Sequence, residues 1–407
     1  MTLEKLVREN VMEKVGLGLE DVVKLNMLSW SMRRAIKERP PRVFSVVTFR
    51  KGMKPWIHVL TNIRLESIED LTLFSRVHTL DLSRTNVEDV SHLGQVHTLN
   101  LYRTQVIDVS MLGKVHTLDL SYTKVKDVSA LGNVHWLNLS CTPVEDVSAL
   151  GRVDTLDLSF TLVSDVTALY EVRCLNLRAT KVRDVSSLSR AHTLDLTYTD
   201  VRDVSSLGHV HTLNLGATKV KDVSSLGRVH SLDLCYTPVE DVSALGKVHT
   251  LNLCDTEVKD VSALGKVHTL NLHDTRVEDV SALGGNHTLI LSNTRVRDVS
   301  TLGYTDTLDL SATNVEDVSA LGKVRTLDLS WTKVRDVSAL GKVHALGLRG
   351  THVEDVNALG NVHTLDISYT QVRDISALGR VKNLNIYCTI VHDFDFARIR
   401  EGLILRR

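Results

Sequence analysis

Three residue types able to do chemistry recur in this chain at one fixed spacing of 19 residues: carboxylates from Asp89, imidazoles from His78 and hydroxyls from Thr85. Carboxylates could hold a hard cation, imidazoles a transition metal, and a hydroxyl could be a nucleophile. Asp recurs at all 17 places from Asp89 to Asp393, Thr at all 17 from Thr85 to Thr389, and His at 12 from His78 to His363. That regularity argues against each chemistry. A nucleophile acts singly, and a metal needs three or four ligands converging on one point. A column offers only neighbours about 5 Å apart. Exposed aspartates so spaced would repel by about 1 kcal/mol per neighbour in water. Asp therefore reads as a local cap that accepts a backbone N–H two or three residues on. Thr reads as structural: its hydroxyl both donates and accepts, so a stacked ladder could satisfy backbone groups where the chain leaves a strand. The imidazoles read as a stacked ladder on a sheet edge. Because stacked imidazoles cannot all carry charge, that ladder makes the protein acid-sensitive. No catalytic residue, no metal ligand and no cofactor is assigned, and the chain reads as a non-enzyme.

The five cysteines are Cys141, Cys174, Cys235, Cys254 and Cys388, with no CxxC pair. Cys235 and Cys254 lie one repeat apart, within disulfide range if their repeats are stacked. The N-terminus is charged from its fourth residue, unlike a signal peptide, and no apolar run approaches the roughly 18 residues of a membrane span. These features predict a cytoplasmic location in which the cysteines stay thiols. A net charge of -1 and only 4% aromatic residues predict no binding to nucleic acid or to an anionic membrane.

The elements that carry these columns follow from a 19-residue consensus, V-H-T-L-D-L-S-x-T-x-V-x-D-V-S-A-L-G-K, repeated 17 times from Val77 without an insertion. With Val77 as position 1, positions 4 and 6 are apolar around a polar position 5, which predicts a short strand with one buried face. Positions 1, 11, 14 and 17 complete a set of six apolar side chains pointing to one interior. About seven residues remain for the return, so it reads as one 3₁₀ turn or β-turn, closed by a glycine of positive φ. Positions 3, 5 and 7 face outward, with position 8 on the rim. A repeat of this length cannot bury its apolar face alone, so the copies stack.

Two outward columns carry alternations. Position 5 alternates Asp and Asn through ten repeats from Asp81 to Asn252, which lets each Asn amide donate to the carboxylates beside it. Position 12 alternates in sign from Glu240 to Arg373, which sets opposite charges side by side. Exposed pairs of this kind contribute only about 0.2–1 kcal/mol each. Duplication of 38 residues at a time would produce the same two patterns.

Leu80-Asp81-Leu82, Thr85, Val87 and Asp89-Val90-Ser91 with Leu93 resemble the leucine-rich repeat, above all its short bacterial and protein-phosphatase-regulator types. The resemblance covers 77–399. It implies an α/β repeat solenoid with a parallel concave sheet of about 17 strands and a short turn or 3₁₀ convex side, about 80 Å long at roughly 4.8 Å per strand. Thr stands where that family has Asn, and the repeat is shorter than the family's usual length.

Residues 1–41 lack the repeat. Asp21-Val22-Val23, Leu25, Leu28-Ser29, Arg33 and Ile36 resemble an F-box, although its opening Leu-Pro is absent. That resemblance implies a small helical segment binding a Skp1-type adaptor of a cullin ubiquitin ligase through Val11, Leu19, Val22, Leu25, Leu28 and Ile36. The alternative is a helical cap over the end of the core, leaving a binding scaffold. The pairing of such a segment with Thr-type repeats is similar to proteins of large nucleocytoplasmic DNA viruses, the marseillevirus kind. Pro40-Pro41 ends the helical part, 43–49 reads as a strand, and 42–76 forms an N-terminal cap with a degenerate repeat over 57–76. Residues 400–407 form a C-terminal cap or tail.

Identical columns carry no address, so a protein target must read the variable positions. At position 8 these are Tyr122, Phe160, Tyr198, Tyr236, Trp331 and Tyr369. At position 7 they are Tyr102, Arg178, His273, Arg349 and Tyr387, while position 5 breaks at Ile290 and Gly347. Aromatic and Arg side chains on an exposed rim are the usual anchors of protein interfaces.

Overall fold

The computed structural model describes residues 44–47, 62–65, 71–75, 77–389 and 404–406. The chain divides into two compact units, Met1–Asp195 and Leu196–Arg407. In the N-terminal unit, strands Phe44–Val47 and Asn62–Leu65 pair in parallel and lead into the repeat strands Thr79–Asp81 through Thr193–Asp195. In the C-terminal unit, the repeat strands Thr212–Asn214 through Asn383–Asn385 are also parallel, and the tail adds one further strand, Ile404–Arg406. Register between neighbouring repeats is constant: Leu80 faces Leu99, and Leu232 faces Leu251. Asn62 pairs with Thr79, so the degenerate repeat is in step with the first full one despite its different length.

Each repeat strand is three residues long and buries only its central leucine. The ladder continues past the strand. The position-6 amide of Leu82 donates to the Asn100 carbonyl at 2.8 Å, and the position-8 amide of Arg84 donates to the Tyr102 carbonyl at 2.7 Å. The six predicted apolar positions form the interior, with Val77, Leu80, Leu82, Val87, Val90 and Leu93 as the first set, all buried. Burial of a side chain of this size stabilises by about 1.5–3 kcal/mol, which is what holds so short a strand. Asn286 and Thr305 replace the apolar residue at position 1 and are buried. The Asn286 amide donates to the carbonyls of Leu264 and Val267.

Asp at position 13 caps as expected. Its Oδ1 accepts the backbone N–H two residues on at 2.8–2.9 Å, from Asp89 with Ser91 to Asp374 with Ser376. These bonds hold the carboxyls of Asp89 and Asp241 below the usual carboxylate range. The return is a 3₁₀ turn such as Ser129–Leu131.

Two local expectations are corrected. The closing glycine has negative φ, near -60° in Gly132 and Gly246. Its requirement comes from the next repeat, because a Cβ on Gly132 would overlap the carbonyl oxygen of Ala149. Glycine therefore sets the stacking distance on this side, and Tyr170 and Ser189 are departures from it. The position-9 threonines do not ladder with one another. Each hydroxyl donates within its own repeat to the position-6 carbonyl, as Thr123 does to Leu120 at 2.6 Å and Thr332 to Leu329 at 2.6 Å. The residue that turns the chain out of the strand is at position 8. It lies in the left-handed region in every repeat, with φ of 54° to 62° in 16 non-glycine residues and 66° in Gly350.

The imidazole ladder is present, with ring centroids 4.5 Å apart for His78–His97 and 4.6 Å for His249–His268. Ion pairs between neighbouring repeats form at position 10, Lys219 with Asp200 and Arg276 with Glu257, the latter at 2.8 Å. From the position-12 row, Glu278 meets Arg295 of position 10 at 3.6 Å.

Candidate functional site

Position 5 is a column of strand-end acceptors. Asp or Asn Oδ1 takes the backbone N–H of position 7, as at Asp119 with Ser121 at 2.9 Å. The second carboxylate oxygen is left to accept from a neighbouring Asn amide. Asn176 donates to Asp157 at 3.1 Å, Asn252 to Asp233 at 3.0 Å and Asn385 to Asp366 at 2.9 Å, in each case to the preceding carboxylate. Alternation thus keeps like charges apart, which matters because like charges directly opposite on paired strands are destabilising.

The alternation ends at Asn252, and further along the C-terminal unit two carboxylates come to stand side by side. Asp309 and Asp328 face each other on paired strands with no amide between them, and the next place in the column is Gly347. The same strand has Ala345 where most repeats have Thr. Two outward side chains are thus cut back side by side, opening a cleft of about 700 Å³. It is lined by Asp309, Asp328, Ser330, Ala345, Gly347 and Asp366. Asp328 leans into the vacated space, with its Oδ1 2.7 Å from where a Cβ on residue 347 would be. Asp309, Asp328 and Asp366 each spend one oxygen on the turn amide at 2.8 Å. Among the described residues, no side-chain donor meets the second oxygen of Asp309 or Asp328.

The rim beside this cleft is aromatic. Trp331 and Tyr369 have ring centroids 6.2 Å apart, and Tyr369 and Tyr387 meet edge to face at 5.6 Å. The Arg349 guanidinium lies over Tyr369 at 4.8 Å and over Trp331 at 5.8 Å. Gly350 makes this possible: the Trp331 ring occupies the space its Cβ would need. Trp331, Tyr369 and Tyr387 remain about half exposed, at 56%, 42% and 48%.

A second cluster of the sequence-derived residues forms in the N-terminal unit. Tyr102 and Tyr122 meet edge to face at 5.5 Å, with Arg103 over both rings and Arg84 over Tyr102. Phe160, Tyr198 and Tyr236 are exposed, and Arg178 is half-buried. The residues assigned to adaptor binding, Val11, Leu19, Val22, Leu25, Leu28 and Ile36, lie outside the described residues. Sequence reasoning noted Gly347 only as a break in a column. It missed Ala345 and the flanking carboxylates Asp309, Asp328 and Asp366. The signal was there: two small residues two apart on one strand empty the same face.

Cys235 and Cys254, expected as thiols, are joined as a disulfide. Parallel register places their Cα atoms 4.6 Å apart, and that proximity is what permits the bond. Beside them stand Asp255, His273 and Asp274. Potential ligand atoms of Cys235, Cys254 and Asp255 lie within 4.8 Å of one another, as do those of Asp255, His273 and Asp274. The Asp255 carboxylate holds the Tyr236 phenol above its ordinary pKa, by its charge first and then by the hydrogen bond it accepts. His273 Nδ1 lies 2.9 Å from Ser292 Oγ.

No protein-family model matches the sequence, and no curated protein matches it. Solved structures do match the fold. A leucine-rich-repeat protein of Leptospira interrogans is 16% identical, with a TM-score of 0.67 over 85% of this chain and 100% of that one. The mouse RP105/MD-1 complex matches with a TM-score of 0.67 at 15% identity, over 92% of this chain and 80% of that one. InlJ of Listeria monocytogenes, whose functional domain includes a cysteine ladder, is 19% identical with a TM-score of 0.58, covering 77% of this chain and 74% of that one. The likeness is one of fold, and the chain has the leucine-rich-repeat fold.

Proposed function

We propose that this protein is an interaction module that holds a protein segment on the outer face of its sheet in the C-terminal unit. A Lys or Arg side chain of that segment sits in the cleft at Gly347. The observation that carries this reading is the Asp309–Asp328 pair, two unseparated carboxylates beside a vacated position. A cationic side chain there relieves the repulsion and finds acceptors already held by the turn amides. Trp331 and Tyr369 supply apolar area next to it. The mouse RP105 match, solved with MD-1, is consistent with a fold that carries protein ligands.

The test is binding of the labelled full chain to arrays of extended peptides that are basic, neutral or acidic. Basic peptides are expected to be retained, and Ala345→Thr/Gly347→Asn to abolish retention. Retention of acidic peptides, or indifference to the double variant, overturns the reading.

At a finer level, the module acts as a cytoplasmic substrate receptor that links its target to a Skp1/cullin ubiquitin ligase. The support is the F-box-like run of Asp21-Val22-Val23, Leu25, Leu28-Ser29, Arg33 and Ile36. Co-purification with a eukaryotic Skp1 adaptor, lost when the chain starts at Arg42, is the expected result. Adaptor absent from both preparations would leave a binding scaffold with a capping N-terminus.

A further inference from the structure

At position 7, where the consensus has Ser, three consecutive repeats of the C-terminal unit place Cys235, Cys254 and His273. Asp255 and Asp274 follow two of them at position 8. Left-handed backbone at Asp255 and Asp274, with φ of 54°, accompanies this arrangement. We propose that Cys235, Cys254 and Asp255, with His273 as fourth ligand, form a site for one thiophilic divalent cation of the Zn²⁺ type, filled when the Cys235–Cys254 disulfide is reduced.

The geometry suits both states of the pair. A Cα separation of 4.6 Å between neighbouring strands is within disulfide range. Zinc holds thiolates at about 2.3 Å in a tetrahedron, which sets two sulfurs about 3.8 Å apart. Short rotations about the cysteine side chains reach that separation with the strands unmoved. The Asp255 carboxylate is already within 4.8 Å of both sulfurs, and His273 is within 4.8 Å of the same carboxylate. One neighbouring group orients a ligand: Ser292 Oγ engages His273 Nδ1, leaving Nε2 for the metal. Partners of this kind tune ligands in metal sites generally. Two sulfurs and an imidazole select zinc over magnesium or calcium, which prefer all-oxygen shells. Cys235, Cys254 and Asp255 are all half-buried, which shields the site from bulk water without closing it.

The chemistry balances with a thiol reductant of the glutathione or dithiol class. Two electrons and two protons from the reductant cleave the sulfur–sulfur bond, and the reductant leaves as its own disulfide. The cation then displaces the two thiol protons to solvent. Disulfide and metal are therefore mutually exclusive states of one pair of cysteines. This site is separate from the cleft at Gly347 and does not depend on the function proposed for it.

The test is Co²⁺ titration of the reduced full chain, freed of reductant under nitrogen. Expected are one equivalent bound, a thiolate-to-cobalt charge-transfer band and the visible bands of tetrahedral cobalt, all displaced by Zn²⁺. The disulfide form and Cys235→Ser/Cys254→Ser should show none of these. Cys141→Ser/Cys174→Ser/Cys388→Ser should show them unchanged, and Ser292→Ala should bind about tenfold more weakly. Absence of the bands from a reduced chain that keeps its circular dichroism overturns the proposal, as does their persistence in the Cys235→Ser/Cys254→Ser variant. Should that variant not fold, the triple Ser variant still decides. Zn²⁺ must protect its two remaining thiols from alkylation, and equal labelling with and without Zn²⁺ overturns the proposal.

Discussion

Two aromatic–arginine clusters, built alike, differ in what lies beside them. In the N-terminal unit Arg84, Tyr102, Arg103 and Tyr122 interleave cations and rings. In the C-terminal unit Trp331, Arg349, Tyr369 and Tyr387 do the same. Beside the first, the outward face is filled: Thr98 and Asn100 stand between Asp81 and Asp119 in register. Beside the second, Ala345 and Gly347 leave that face empty between Asp328 and Asp366. The difference teaches that the ladder of rings is a general product of stacking, because any two neighbouring repeats with large residues at positions 7 and 8 will make one. Specificity comes from the side chains that are missing.

Exchanging the two faces should have the largest effect. Ala345→Thr/Gly347→Asn fills the cleft and lets the new amide donate to Asp328. Basic-peptide affinity should fall roughly thirtyfold, about 2 kcal/mol, by fluorescence anisotropy. The converse pair, Thr98→Ala/Asn100→Gly, should create measurable basic-peptide binding in the N-terminal unit. No gain there would show that the rim of the C-terminal unit carries more of the binding than its cleft. Next in size, Trp331→Ala should cost about 1–2 kcal/mol of binding, whereas Tyr122→Ala should leave affinity unchanged. Equal losses from the two would make the clusters equivalent.

Smaller effects fall on stability. Gly350→Ala strains a left-handed residue and displaces the Trp331 ring, so denaturant unfolding should show a loss of about 1–2 kcal/mol. Ala312→Gly, at the same repeat position, relieves the strain that Gly350 avoids and should stabilise by up to about 1 kcal/mol.

The smallest expected effect is a pH dependence shared by both units. Burial, then the charge of the rings on either side, holds the imidazoles of His97 and His249 below their ordinary 6.5. The unfolded chain then binds more protons in the window between those lowered values and 6.5, so stability falls as pH drops through it. The melting temperature should decline from pH 8 to pH 5.5, and His97→Gln and His249→Gln should each blunt the decline. Position-13 carboxyls such as Asp89 and Asp298 act lower. Their hydrogen bonds stabilise the fold above the unfolded carboxyl value of 3.8, and this contribution is lost as pH falls through their depressed folded values.

The interior was fully legible in the sequence, because Leu80, Leu82 and Val87 and their copies repeat a pattern with only one buried arrangement. The Asp cap was legible for a similar reason, its bond closing within three residues. Between repeats, the imidazole ladder and the Asn-to-Asp bonds were legible, but backbone contacts were hidden. Gly132 looks like a turn terminator until Ala149 of the next repeat is placed against it. The left-handed position 8 was hidden by its occupants, since Arg84, Tyr122, Phe160 and Trp331 are residues that seldom adopt it. Asp255, Asp274, Asn293 and Gly350 at the same position were the available clue. The cleft required reading Ala345 and Gly347 as one absence on a single face, where each alone is a tolerated substitution.

The constant 19-residue register also governs how the chain can be made. Strand partners such as Leu232 and Leu251 are 19 residues apart, so nearly every tertiary contact of a repeat is available once its successor exists. At a synthesis rate of about 5–20 residues per second, a ribosome releases one such increment every few seconds. Stacking proceeds by nearest neighbours and does not wait for a distant segment. The growing end therefore exposes the apolar edge of a single repeat at any moment, however long the finished protein becomes.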